Sequence, residues 1–386
     1  MAHKNTDKKV LVLAAGGTGG HMFPALALGQ EMAARGWTVR FLTDARGKRY
    51  LKDSLPSTVI LAGTPSAPGL KKLWHMFKLA IGLIQSMVLL CRIKADVVVG
   101  FGGYPCVPAT VAGHILKRQV FLHEQNSVLG RANRFLSRYA KLIATSFQKT
   151  EPEQSTFAQK YTWVGNPVRA DIQNLSNTPY PHLTLDTPLK VFVMGGSQGS
   201  KVFSDVIPEA VKNLPEALQA RLYITQQCRP EDIDAATQAY EDARAKTNLK
   251  TFFDDVPNHL ENCHLVICRA GASTVAEITV SGRPAIFVPF PQALDDHQHK
   301  NALTVEGAGG GWVVEQDAFT PEVLATKLET IANMPQTLKQ MADKAKECGK
   351  PQAAAELADL IEEHKSGMLT NLANSENSDP TSNEAA

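Results

Sequence analysis

Cysteine is scarce in this chain of 386 residues, and the six present follow no pattern. They stand at 91, 106, 228, 263, 268 and 348 without a CxxC pair, which excludes a zinc knuckle, a thioredoxin motif and a disulfide-stapled scaffold. Reduced, buried thiols are expected. Charge of one sign is also lacking. Lys+Arg number 40 against 38 Asp+Glu, a net +2, so no basic field argues for a nucleic-acid partner. Long clean hydrophobic runs are missing too. The charge-free stretches 10–30 and 97–116 are broken centrally by Gly-Gly and Pro, so neither reads as a membrane span. Val10–Ala15, behind a basic N-terminus, is too short for a secretory leader.

Several nucleotide signatures are absent as well. Met22 stands where a GxGxxG fingerprint needs its last glycine. Asp44 follows Gly17 by 27 residues, against the spacing of about 20 expected of a ribose-binding acid in a nicotinamide site. No GxxxxGK[ST] occurs, which excludes a P-loop, and no Asp-x-Asp stands at a strand end.

What is present is an ordinary globular composition, 44% hydrophobic and 20% charged, long enough for two to three domains. Strand-like and helix-like segments alternate, which predicts parallel sheets covered by helices. Strands are expected at Val10–Ala15, Thr38–Thr43, Asp96–Val99, Val120–Leu122, Leu142–Ala144 and Thr162–Val164, with a first helix over Pro24–Arg35. The stretch 171–189, rich in Asn, Thr and Pro, reads as a linker. The pattern then restarts, with strands at Lys190–Met194, Arg221–Thr225, Leu249–Phe253, Leu265–Cys268 and Pro284–Pro289 and helices at Ala235–Lys246, Pro321–Met334 and Gln336–Lys346. AAGGTGG at 14–20 and VMGGSQG at 193–199 hold equivalent places, so one α/β plan is written twice. The tail 367–386 is expected to be disordered.

Polar residues gather where strands end, the side on which open α/β sheets bind ligands. Gly16–Gly20 and His21 follow the first strand, Gly100–Pro105 a later one, and His123, Glu124, Gln125 and Asn126 the next. Glycine turns opening helices bring backbone N–H groups close to a diphosphate or sugar. In the second half, Ser197 lies in a similar turn. In Arg269–Glu277, Gly271 permits a sharp turn and Ser273 or Thr274 can cap a helix. Glu277 either accepts hydrogen bonds from a ribose diol or closes a capping box on Thr274. The Asp and His residues of 292–301 offer no three-ligand helical face, so they read as a solvated loop entering a helix rather than a metal site. Residues 70–94 carry a charge-free run of 13 (79–91) between Lys71, Lys72, Lys78, Arg92 and Lys94. The run is too short to span a bilayer. It suits either a core helix with a basic rim or an element lying on an anionic membrane surface, anchored by Trp74 and Phe77.

The ordered set GGTGGH (16–21), GFGGYPCVPA (100–109), HEQN (123–126), GNPVR (165–169), GGSQGS (195–200), RAGASTVAE (269–277) and PFPQALDDHQHKNA (289–302) resembles the GT-B glycosyltransferases of family 28, over about 9–365. Those enzymes carry N-acetylglucosamine (GlcNAc) from UDP-GlcNAc to lipid I in bacterial peptidoglycan synthesis. The resemblance implies two Rossmann-like parallel-sheet domains facing a deep cleft. An acceptor- and membrane-facing domain would span 1–168, and a UDP-GlcNAc-binding domain 169–350. A helix at 351–366 would return to the first domain. It implies that Thr18, Gly19, Gly20 and Asn126 approach the donor GlcNAc, and that Arg169 and Ser197 hold the diphosphate and hinge. Phe253 would meet uracil through its backbone. Ala272, Ser273, Thr274, Val275, Ala276 and Glu277 would bind phosphate and ribose, and Gln298 the GlcNAc. The acceptor 4-hydroxyl would attack the anomeric carbon with inversion, His21 serving as base before Glu124, and with no cofactor and no obligatory metal. Residues 70–94 would dock on anionic lipids of the cytoplasmic leaflet, a peripheral location beside the cell-wall synthesis machinery. Other readings are a UDP-GlcNAc 2-epimerase-like enzyme, a diacylglycerol glucosyltransferase, or an idle scaffold that binds without turnover.

Overall fold

Apolar runs bounded by glycine turns become strands buried on both faces, as parallel sheets require. The computed structural model describes residues 9–51, 55–63, 70–150, 158–196 and 199–366. The tail 367–386 and Ser197 therefore lie outside the described residues. The first sheet holds β1 (Val10–Ala14), β2 (Thr38–Thr43), β3 (Ser57–Val59), β4 (Val97–Gly100), β5 (Gln119–Glu124), β6 (Leu142–Thr145) and β7 (Tyr161–Trp163), in the order 3-2-1-4-5-6-7. The second holds β8 (Leu189–Met194), β9 (Leu222–Gln227), β10 (Lys246–Lys250), β11 (Leu265–Cys268), β12 (Ala285–Phe287) and β13 (Gly311–Val313), in the order 10-9-8-11-12-13. All pairings are parallel, with Val10 opposite Thr38 and Leu265 opposite Val191. In each sheet the order reverses beside its first strand, between β1 and β4 and between β8 and β11. The strand ends there open into the crevice where such sheets bind ligands.

Each sheet carries apolar packing on both faces. One face of the first sheet is completed from far along the chain. In the helix Ala353–Ser366, Leu357, Ala358 and Ile361 are fully buried beside Leu11, Leu13, Met32 and Trp37. Polar contacts fasten its outer edge. Arg35 reaches Asp359 at 2.6 Å and Glu362 at 3.0 Å, and Lys365 reaches Asp96 at 2.8 Å. Leu357→Ala is expected to cost about 2–5 kcal/mol, read as a lower urea midpoint by Trp37 fluorescence. An unchanged midpoint would show that this helix contributes nothing to the first domain's stability.

The first helix spans Gly19–Ala34, beginning five residues before the expected Pro24. Pro24 sits inside it and has no N–H for the carbonyl of Gly20. The second strand group also departs from expectation. Leu249–Phe253 was expected as a strand, but β10 is the polar Lys246–Lys250, fixed in register by Lys246 opposite Tyr223 on β9. The expected linker opens with a short helix, Ala170–Asn174.

The segment at 70–94 folds as one helix, Leu70–Arg92. Over Lys72–Arg92 it is long and apolar enough to cross a membrane by length and composition, with a mean hydropathy of 1.5. The 13-residue run had suggested too short an element, because it was counted between charges, whereas the helix continues through Lys78 and Lys72 at one end and Arg92 at the other. It packs on the helix Cys106–Ile115. Gly82, Ser86 and Leu90 are buried, and a side chain at Gly82 would collide with the Leu61 carbonyl. Leu73, Trp74, Met76, Phe77, Ile84 and Val88 are exposed, and Trp74 stacks on Phe77.

Candidate active site

The turn after β1 is shaped by its neighbours. Gly17 has φ +84°, a region that favours glycine. A side chain at Gly16 would stand 2.7 Å from Pro105 and 2.8 Å from Asp44 Oδ1. Asp44 accepts from the N–H of Gly17 (3.0 Å) and Gly47 (2.8 Å). Burial pushes its carboxyl up, but those N–H groups and Arg46 outweigh it and hold it below its ordinary value. Asp44 is thus a clamp on the turn. Thr18 caps the first helix with an extended backbone, Gly19 and Gly20 are its first two residues, and His21 lies in the first turn.

The end of β5 supplies the opposite wall. His21 Nδ1 lies 2.8 Å from Gln125 Oε1. Gln125 Nε2 is 3.0 Å from both Nδ1 and the carbonyl of His123, and His123 Nε2 is 3.0 Å from the Gly165 carbonyl. Glu124, nearly fully buried, serves the loop. It accepts from the backbone N–H of Asn126 (3.0 Å) and Gly130 (2.9 Å), and from the amides of Asn126 (3.3 Å) and Asn133 (2.8 Å). His21, Gly102, Gly103, Glu124, Asn126 and Asp295 line a cleft of ≈ 320 Å³, room for a sugar-sized group.

Across the cleft stands the helix Ala272–Ser281, which follows β11. Its N-cap is Gly271, so Glu277 lies in the second turn and the capping-box alternative on Thr274 is set aside. The N–H groups of Ala272, Ser273 and Thr274 precede the first intrahelical bond, from Val275 to Gly271, and a helix start of this kind attracts anions. It meets the start of the first helix directly: Ser273 Oγ donates to the Gly20 carbonyl at 3.4 Å. That carbonyl is free because Pro24 cannot use it. Arg169 Nη2 lies 3.6 Å from Glu277 Oε1, while its buried Nε lies 3.8 Å from Asp171 Oδ1 and makes no hydrogen bond among the described residues. Burial pushes the Glu277 carboxyl up to about 7, with Arg169 pulling it down.

The remaining expected residues are spread around this centre. Val275 is buried and Ala276 half-buried on the same helix. Phe253 packs edge-on against Phe192, its ring in the second domain's core. Gln298 turns back, its Oε1 accepting from Phe290 N at 3.0 Å. Two residues were not anticipated as site members. Arg269 donates to Ser200 Oγ (2.9 Å), Gln316 Oε1 (2.6 Å) and the carbonyls of Val288 and Pro289, tying the second glycine turn to β12's exit. Asn301, fully buried, clasps the two domains. Its Oδ1 accepts from Ser127 N (2.8 Å) and Oγ (3.0 Å), and its amide donates to Asn126 Oδ1 and the Ala270 carbonyl, both at 3.2 Å. A lone Asn in a polar stretch gives no sequence signal for this.

Two parallel α/β domains whose helix starts meet over a polar cleft make a GT-B fold. Residues 11–145 match the glycosyltransferase family 28 N-terminal domain, and 190–361 match its C-terminal domain. The chain belongs to glycosyltransferase family 28, among the MurG enzymes. It is 45% identical over 360 residues to the UDP-N-acetylglucosamine--N-acetylmuramyl-(pentapeptide) pyrophosphoryl-undecaprenol N-acetylglucosamine transferase of Paramagnetospirillum magneticum, covering 92% of this chain and 97% of that one. It is 46% identical to the enzyme of that name from Brucella abortus, covering 94% and 96%. The crystal structure of MurG from Acinetobacter baumannii superposes with a TM-score of 0.76 at 33% identity, covering 92% of this chain and 99% of that one. A Neisseria meningitidis UDP-GlcNAc 2-epimerase, at 14% identity and TM-score 0.65, shares the fold.

Proposed function

We propose that this chain transfers GlcNAc from UDP-GlcNAc to the 4-hydroxyl of the MurNAc of lipid I, with inversion, making lipid II for peptidoglycan. The family membership supports the reaction. The observation that carries the mechanism is the meeting of two helix starts at Ser273 and Gly20, with His21 the next residue along the first helix. Thr18, Gly19 and Gly20 then face the donor sugar with Asn126 and Gln298, and Ala272–Thr274 take the diphosphate. Charge growing on the leaving UDP is met by fixed N–H dipoles, which need no reorganisation during the reaction. Arg169, whose Nε makes no hydrogen bond among the described residues, turns to the same diphosphate with Ser197. Glu277 accepts from the ribose diol, and the backbone near Phe253 meets the base. His21 takes the acceptor's proton, since Glu124's oxygens are occupied by four N–H donors. Residues 1–168 form the acceptor domain and 169–350 the donor domain. The exposed face of Leu70–Arg92 rests on anionic lipid at the cytoplasmic side of the membrane, where a lipid-linked acceptor is held and other cell-wall enzymes meet it.

The test is UDP release from UDP-GlcNAc with a lipid I analogue, beside a reaction without acceptor. Acceptor-dependent release is expected. Release that ignores the acceptor, or none despite UDP-GlcNAc binding, would overturn the assignment.

A pH prediction follows from Glu277. Its carboxyl, at about 7 in the empty protein, accepts hydroxyl protons best when ionised. UDP-GlcNAc affinity is expected to rise about tenfold from pH 6 to pH 8, as the ionised fraction rises. The diphosphate diester does not titrate there. Calorimetry should show the rise in the wild type and a flat profile in Glu277→Gln. A rise that persists in the variant would assign it to another group.

A further inference from the structure

Neutral histidine accepts a proton at only one ring nitrogen, so a base is set by its tautomer as much as by its position. Four groups around His21 decide that tautomer, and the chain of reasoning starts from atoms that can only accept. The Gly165 carbonyl has no proton, so His123 Nε2, 3.0 Å away, must donate. Burial pushes the His123 imidazole down to about 4, with the Gly165 hydrogen bond opposing. The ring is therefore neutral and its Nδ1 accepts. The His123 carbonyl likewise only accepts. The Gln125 atom 3.0 Å from both that carbonyl and His123 Nδ1 is thus the amide nitrogen, and the side chain has one orientation. Its oxygen then lies 2.8 Å from His21 Nδ1, which must carry a proton.

We infer that His123 and Gln125 form a relay that fixes the proton of His21 on Nδ1 and leaves the lone pair on Nε2 for the acceptor hydroxyl. This deepens the reading of His21 as the base and rests on it. The acceptor proton moves to Nε2 as its oxygen bonds the anomeric carbon, and the bond to UDP breaks with its electron pair on the phosphate oxygen. The resulting imidazolium keeps its Nδ1 proton on Gln125 Oε1. Gly103 keeps the other edge open. It has φ +71°, and a side chain there would sit 3.3 Å from His21 Cδ2 and 3.5 Å from Nε2. Gln125 and His123 are positioning residues, His123 on β5 and Gln125 just past its end.

The test reads the tautomer directly. In 15N-labelled protein at a pH where His21 is neutral, its Nδ1 should resonate as a protonated nitrogen and its Nε2 as an unprotonated one. Gln125→Leu removes the acceptor, and the ring should revert to its intrinsically preferred Nε2–H form. kcat should then fall by up to the about 10²–10⁴-fold that a general base contributes, with KM for UDP-GlcNAc unchanged, because the base is held in the wrong tautomer. Gln125→Glu, as the neutral acid, keeps an acceptor facing Nδ1 and a donor facing the His123 carbonyl, which can only accept. In that form it should restore the unprotonated Nε2 and most of the rate. That rescue separates tautomer control from loss of fold. A wild-type His21 protonated on Nε2, or a tautomer unmoved in Gln125→Leu, overturns the relay. A reversed tautomer with unchanged kcat upholds the relay and removes His21 as the base.

Discussion

His21→Ala is expected to lower kcat by about 10²–10⁴-fold, the usual contribution of a general base, with UDP-GlcNAc affinity unchanged within about twofold. The side chain lines the cleft and, among the described residues, is held by a hydrogen bond to Gln125, so its removal leaves both glycine turns and the Ala272–Ser281 helix start intact. Glu124→Gln is the informative companion. Its carboxylate takes four N–H donors, and an amide would aim a donor at one pair of them. The expected result is a lower Tm with a modest effect on kcat, because the loop Gln125–Gly130 loosens. If Glu124→Gln instead removed turnover at unchanged Tm while His21→Ala kept it, the two roles would be exchanged.

The second large effect is expected on membrane association. In the helix Leu70–Arg92 the buried positions 82, 86 and 90 define the face toward the protein, and Ile84 and Val88 lie two residues on, about 200° around. Leu73, Trp74 and Phe77 extend the outer face, with Lys78 over the Trp74 ring. Each large apolar side chain contributes about 1.5–3 kcal/mol when fully buried. Replacing Trp74, Phe77, Ile84 and Val88 together by Ser should therefore lower binding to anionic vesicles by about 100-fold or more, even with partial immersion. Turnover of a water-soluble acceptor analogue should not change. Co-sedimentation reads the first and UDP release the second. Wild-type sedimentation of the fourfold variant would move the lipid surface elsewhere.

Sequence periodicity reported the buried strands well and the edges poorly. β1, β4 and β11 are continuous apolar runs, legible because a strand covered on both faces can use little else. β3 and β13, three-residue strands at the sheet edges, went unexpected. At β10, the apolar Leu249–Phe253 drew the expected strand away from the edge. An edge strand such as Lys246–Lys250 is polar because one side meets solvent, and the aromatic that misled, Phe253, packs inward from a loop. The site was legible as loops but not as partnerships. Gly16–His21 and Arg269–Glu277 are local motifs. The bond from Ser273 to Gly20 spans 253 residues and that from Asn301 to Ser127 spans 174, and a single sequence carries no trace of either. Asp44 shows the same limit: read by its spacing as a failed ribose ligand, it proves to be a turn clamp.

The helix Ala353–Ser366 also orders events in time. The first sheet begins at Val10, yet one of its faces, covered in part by the helix Gly19–Ala34, is not closed until Leu357 and Ile361 arrive. The second sheet, β8 to β13, is complete in chain order by Val313. On a ribosome the domain synthesised second can therefore close before the one begun first. The nascent first domain waits with this face part-open, a span in which it depends on a holding chaperone and in which a stop codon before residue 357 would leave it sticky rather than merely inactive.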